Sequence, residues 1–297
     1  MTSPDLIYIA GYGRSGSTVL DAWLGAIDGF VATGEMHFLP QYLVDDRACS
    51  CGDALRMCAA WPYEGGPVST ARAAAVTTSI ESSVLVGGAR GRKTSQAERD
   101  DYASWWKWCI DHVKTATDST TLVDSSKSMA ASRHRVETLR DLCGLDVAVL
   151  HLVRDPRAVF VSAMKGDNSQ YSRPFTGFEA SIRSLVGWQV ANRAALHHAA
   201  TSDRYALLWY HEFTSAPEQT VVKALRELGV AGDLSLPGPG SIDPGHGVGG
   251  NRMRSQGREG IEVRADAAWR TRVEEPLIRA AHAVSTPTLR LLEASVR

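Results

Sequence analysis

The sequence predicts an α/β fold with three layers, a central parallel sheet flanked by helices. Four short apolar runs carry the sheet: LIYIA (6–10), TTLVD (120–124), VAVLHLV (147–153) and YALLWY (205–210). They are rich in β-branched and aliphatic residues and lack clean polar alternation, as strands covered on both faces do. Helical patterns lie between them, at 16–27, 96–116, 128–142, 156–165 and 176–199. Strand–helix alternation of this kind implies right-handed crossovers between parallel strands. The tail, 265–295, returns to helical periodicity around Trp269 and Leu277. We expect one domain over residues 1–297, with the long loops 165–175 and 237–260 acting as lids.

Composition narrows the function classes. Hydrophobic residues make up 44% of the chain, ample for a core of this size. Lys and Arg number 32 against 33 for Asp and Glu, so a nucleic-acid polymer is not the expected partner. Any anion site must be a local concentration of cations. No run has the length of a membrane span, and the N-terminus lacks a basic leader region. A soluble, cytoplasmic protein is expected. The five cysteines are an odd number, which favours reduced thiols in such a setting. Three of them lie in CSCGDALRMC, with His37 as a conceivable fourth metal ligand. The spacing matches no standard zinc module, so a structural turn is expected there.

The stretch GYGRSGSTVL (11–20) follows the first strand and opens the first helix. Gly11, Gly13 and Gly16 allow a sharp turn and a close approach of backbone to ligand. A helix beginning near Ser15–Ser17 aims free N–H groups and its positive dipole end at an anion. Ser15, Ser17 and Thr18 add hydroxyl donors, and Arg14 adds a guanidinium able to grip two oxygens. Gly11, Gly16 and Thr18 match the Walker pattern, but Ser17 stands where its lysine belongs. The fold is therefore P-loop-like without the charge that supports nucleoside-triphosphate hydrolysis.

A second anion site is written in HLVRDPRAVFVSAMKG (151–166). Arg154 sits at the end of the third apolar run, Asp155 can cap the helix begun by Pro156, and Ser162 lies eight residues beyond Arg154, about two turns along. These two stretches resemble the phosphosulfate loop and the 3′-phosphate motif of sulfotransferases that use 3′-phosphoadenosine 5′-phosphosulfate (PAPS). The closer likeness is to bacterial, tyrosylprotein and carbohydrate members, which carry arginine where Arg14 stands. The resemblance implies that residues 13–18 bind the 5′-phosphosulfate, that Arg154 and Ser162 bind the 3′-phosphate, and that 3′-phosphoadenosine 5′-phosphate (PAP) is the product.

It also implies the chemistry. Sulfuryl transfer is an in-line displacement needing a base for the acceptor hydroxyl and cations for the sulfuryl oxygens. Lys127, in LVDSSKSM, matches a lysine that contacts the sulfonate or the bridging oxygen; Asp124 or Ser125 is expected to cap the following helix and hold it. For the base, VATGEMHFL (31–39) offers Glu35, which the resemblance favours, with His37 as understudy. If that segment is extended, both side chains point the same way. In HGVGGNRMR (246–254), Gly250, Asn251 and Arg252, with Arg254 after them, resemble a loop that closes over the nucleotide. With Arg14 and Lys127 supplying charge, no metal is required.

The acceptor is the quiet part of the sequence. Trp105, Trp106 and Trp108 share a helix on which not all three can face the core, leaving aromatic surface for a sugar or aryl ring. Tyr171 and Phe175 are expected in a lid. The resemblance points to a small-molecule or glycan hydroxyl, in a carbohydrate, glycolipid or phenolic natural product, and is compatible with a homodimer. Two rival readings are a P-loop small-molecule phosphotransferase, which predicts magnesium-dependent triphosphate turnover, and a non-catalytic nucleotide-binding protein.

Overall fold

The computed structural model describes residues 3–82, 94–127, 135–164, 177–230, 232, 234–238, 240, 242–250, 254 and 260–295. Asn251, Arg252 and the whole 165–175 loop lie outside these residues, as does much of 237–260. Five parallel strands form one sheet: β1 (Leu6–Gly11), β2 (Phe30–Gly34), β3 (Thr121–Asp124), β4 (Val147–Val153) and β5 (Tyr205–Trp209). Their order across the sheet is β2-β3-β1-β4-β5. The four predicted strands are present, and β2 is the addition. Its five residues, FVATG, end in Ala, Thr and Gly, too weakly apolar a run to separate from loop by pattern.

The helices are α1 (Ser17–Gly25), α2 (Leu39–Val44), α3 (Thr70–Ser82), α4 (Gln96–Ala116), α5 (Arg135–Asp141), α6 (Pro156–Met164), α7 (Gly177–Thr201), α8 (Tyr210–Ser215), α9 (Pro217–Glu227) and α10 (Pro276–Ala294). A capping box starts α4, with Ser95 and Glu98 each accepting the other's backbone N–H. Side chains leave each strand alternately, so the sheet builds two cores. On one face Leu6, Tyr8 and Val149 pack with Trp105, Trp106 and Val136. On the other, Ile7, Ile9 and Leu150 pack with Leu20, Val221 and Leu225. This is the expected three-layer α/β arrangement.

Strand order creates the ligand position. From β1 the chain crosses toward β2 on one side, and from β4 toward β5 on the other. Crossovers that diverge in this way leave a crevice beyond the carboxyl ends of β1 and β4, the usual binding place in an open α/β sheet. The 11–16 loop and Arg154 both emerge there.

Candidate functional site

The glycine loop is a tight cradle. Gly11 has φ +123°, and a Cβ on it would lie 2.4 Å from the Leu152 carbonyl oxygen. Gly16 has φ +92°, and a Cβ there would strike the Tyr210 ring at 2.5 Å. Only glycine fits either place. Between them Arg14 adopts φ +65°, rare for a residue with a side chain. Gly16 precedes α1 with no side-chain cap, so the first-turn N–H groups and the dipole's positive end are left for an anion. Ser15 Oγ is buried at the same spot with no hydrogen-bond partner among the described residues.

The second motif locks onto the first. Arg154 leaves the end of β4 and donates from Nη1 to the Arg14 carbonyl at 2.9 Å. From Nη2 it donates to Asp266 at 2.8 Å, and its guanidinium lies 4.5 Å over the Tyr210 ring. Its Nε is buried without a partner among the described residues. Arg14 in turn donates from Nη1 to the Ser162 carbonyl at 3.0 Å and the Ser162 hydroxyl at 3.3 Å. Asp155 takes the expected capping position and accepts the Arg157 N–H at 2.8 Å. Arg14, Arg154 and Ser162 thus share one corner of the crevice.

The third part sits across β1. The backbone of Gly34 (φ +73°) approaches Val248 so closely that a Cβ would lie 2.4 Å from the Val248 carbonyl oxygen. That oxygen accepts the Glu35 N–H at 2.7 Å, and Val248 N–H donates back to Thr33 O at 2.9 Å. Glu35 is 4% exposed and forms an ion pair with Lys127 through Oε1. Lys127 also donates to the Ser125 carbonyl at 3.3 Å. Its own φ is +30°, so both candidate cations occupy left-handed backbone.

Several expectations change here. Residues 36–38 form a 3-10 turn, not an extended strand, so Glu35 and His37 do not alternate onto one face. His37 donates its backbone N–H to Ser126 Oγ at 3.1 Å, and its ring lies tilted by 40° against Phe38 with centroids 3.7 Å apart. Burial, followed by the nearby Arg135 and Lys127 charges, holds its imidazole well below the usual range, and therefore neutral. Asp124 accepts from Arg135 at 3.1 Å and from Ser126 N–H at 2.8 Å, and the start of the helix that it or Ser125 is expected to cap lies outside the described residues. Arg135 is itself wholly buried against Glu81 and the Trp106 ring. Trp105 and Trp106 are core, and Trp108 is half-buried against Gly66.

Described residues of the late loop lie beside the same groups. A Cβ on Gly250 would lie 3.7 Å from Thr18 Oγ1, and one on Gly249 would lie 3.6 Å from Glu35 Oε2. Arg254 turns inward to pair with Asp21 of α1, both fully buried. Asp21, Tyr210, Asp266 and Arg135 had no motif to mark them. Each acts through a partner more than 50 positions away or through packing, which no local pattern records.

The sulfotransferase family model matches residues 4–233. The chain belongs to the sulfotransferase family. Among solved structures, the sulfotransferase domain from the Synechococcus PCC 7002 olefin synthase aligns over 100% of this chain and 96% of its own, with 20% identity and a TM-score of 0.55, which shows a shared fold. The sulfotransferase domain from the curacin biosynthetic pathway aligns over 97% and 98% at 15% identity (TM-score 0.49). The Alicyclobacillus acidocaldarius sulfotransferase aligns over 100% of both chains at 14% (TM-score 0.46). No curated protein matches. Membership makes this chain a transferase, with PAPS implied as donor and a small molecule as acceptor. No helix among the described residues is long and apolar enough to cross a membrane.

Proposed function

We propose that this sulfotransferase moves the sulfonate of PAPS to a hydroxyl of a carbohydrate, glycolipid or phenolic natural product, using Glu35 as general base. The observation that carries the reading is the interlock of Arg154, Arg14 and Ser162, which lets one doubly phosphorylated nucleotide reach both motifs. The buried, unpartnered Ser15 Oγ and Arg154 Nε fit an anionic guest, because a donor without a partner costs about 1–3 kcal/mol until one arrives. PAPS supplies a sulfonate already activated by its phosphate leaving group.

The residues of the chain then divide the work. Residues 13–18 hold the 5′ end through backbone N–H groups, hydroxyls and Arg14. Arg154 and Ser162 hold the 3′-phosphate. Lys127 has three donors, of which Glu35 and the Ser125 carbonyl account for two, leaving one for a sulfonate oxygen. Glu35 accepts the acceptor's proton, and its ion pair with Lys127 fixes the carboxylate's position beside the sulfonate. His37, neutral and turned into the 3-10 segment, supports the wall beside Phe38. Charge on the transferring group is balanced by Arg14 and Lys127, so turnover is expected without magnesium.

An acceptor panel incubated with labelled PAPS, read by the mass gain of one sulfonate, tests the activity. A panel of sugars, glycolipids and phenols giving no sulfonated product, with magnesium-dependent triphosphate hydrolysis instead, would overturn it. For the nucleotide site, Arg154→Ala should weaken PAP binding by roughly one to two orders of magnitude, since a charged hydrogen bond is worth about 1.5–3 kcal/mol. Unchanged affinity by titration calorimetry in a folded variant removes Arg154 from the site.

A further inference from the structure

We propose that Cys49, Cys51, Cys58 and His246 bind a structural zinc ion that fastens the 242–250 loop to the body of the protein. The four donor atoms all lie within 4.8 Å of one another. Cys51 Sγ is 3.7 Å from Cys58 Sγ, and His246 Nδ1 is 3.2 Å from Cys58 Sγ and 3.9 Å from Cys49 Sγ. Zinc–sulfur bonds of about 2.3 Å at tetrahedral angles put two thiolates about 3.8 Å apart, and a thiolate and an imidazole nitrogen slightly closer. The cluster has the size of that tetrahedron. Three soft thiolates and one imidazole in tetrahedral reach select zinc over hard cations.

The surroundings are built for it. The 49–58 turn is held by its own backbone: Cys49 N–H donates to Asp53 O at 2.8 Å, and Cys58 N–H to Ala54 O at 3.0 Å. Trp61 Nε1 donates to Cys49 Sγ at 3.4 Å, the kind of outer contact that orients a thiolate ligand. Ser50, between two of the cysteines, clamps both neighbours of His246. Its Oγ donates to Gly245 O at 2.6 Å and accepts Gly247 N–H at 2.5 Å, and its own N–H donates to Gly247 O at 3.1 Å. Two segments separated by 188 positions are therefore registered so that the imidazole meets the thiols. The fourth ligand is His246; His37, the sequence candidate, is engaged elsewhere.

The position explains why a metal belongs there. Two residues beyond His246, Val248 accepts the Glu35 N–H, and Gly249 packs on the Glu35 side chain. Zinc at the cluster would pin the loop that seats the candidate base, while standing apart from the sulfuryl chemistry. Its binding does not depend on PAPS or on the transfer, so metal content and sulfonation can fail separately.

The test uses the full, untagged chain, expressed with zinc in the medium and purified without chelator. Plasma mass spectrometry should find about one zinc per chain. Cys51→Ser, at the exposed ligand, and His246→Ala should each reduce zinc to trace, while His246→Cys should retain it. Where a variant fails to fold, cobalt exchanged into the native chain should give tetrahedral d–d bands with a thiolate charge-transfer band. Native protein holding no stoichiometric zinc, another metal in its place, or an intact mass two hydrogens light from a disulfide would each overturn the proposal. So would zinc retained in both Cys51→Ser and His246→Ala.

Discussion

Arg14 and Lys127 share a feature that neither motif announces: each holds its charge from backbone in the left-handed region, at φ +65° and +30°. A side chain there costs about 1 kcal/mol or more, a strain characteristic of sites that fix a group in place. Arg14→Gly should therefore melt above Arg14→Ala, by the equivalent of about 1 kcal/mol, while both lose PAP affinity. Equal melting temperatures for the two would mean that the conformation at 14 is not strained. Glu35 invites a kinetic measurement. Glu35→Gln keeps the shape but cannot take a proton, so kcat should fall about 10²–10⁴-fold with PAP affinity retained. A Gln variant with normal kcat would shift the base elsewhere.

Between elements, a buried chain of hydrogen bonds runs from β5 to the end of β4. Asn192 Nδ2 donates to the Trp188 carbonyl at 2.6 Å, so its Oδ1 is the atom facing His151 Nε2 at 2.8 Å. Nε2 must carry the proton, and Nδ1 then accepts from the Tyr205 hydroxyl at 2.7 Å. Trp188 Nε1 completes the chain by donating to the Arg154 carbonyl at 3.0 Å. Burial lowers the His151 pKa to about 4, against 6.5 in an exposed histidine. The unfolded chain thus takes up a proton first as pH falls. Stability contributed by neutral His151 is whole above about 6.5 and declines as pH drops toward about 4, by roughly 3 kcal/mol in all. Urea midpoints measured from pH 7 to 4.5 should fall, and less so in His151→Gln. Identical slopes for the two would contradict the neutral assignment.

For the whole molecule, the decisive contacts join distant parts of the chain. Arg154 meets Arg14 across 140 positions, Lys127 meets Glu35 across 92, and Arg254 meets Asp21 across 233. The last pair is fully buried, so removing one partner strands a charge in the core. Arg254→Ala should destabilise the protein by about 3–5 kcal/mol, read by chemical denaturation. A loss below about 1 kcal/mol would mean that Asp21 is already neutral or solvated. The same late segment carries Val248 against Glu35 and His246 against the thiols, so one loop braces α1, the candidate base and the cysteine turn together.

Legibility followed the range of the interaction. The apolar runs, the glycine turn after β1 and the Arg154–Ser162 spacing could be read directly, because strand burial, helix starts and two-turn spacings are local. So could the location of the crevice, which strand–helix alternation implies. The 3-10 turn at His37 went unread, since backbone contacts with the loops at Val248 and Ser126 shape that segment. Nor could spacing reveal that Asp124 answers to Arg135, or that His246 is the partner of three cysteines near residue 50. Local chemistry names the groups able to hold an anion or a metal. Which of them meet depends on chain crossings and on burial, and these exist only once the sheet has formed.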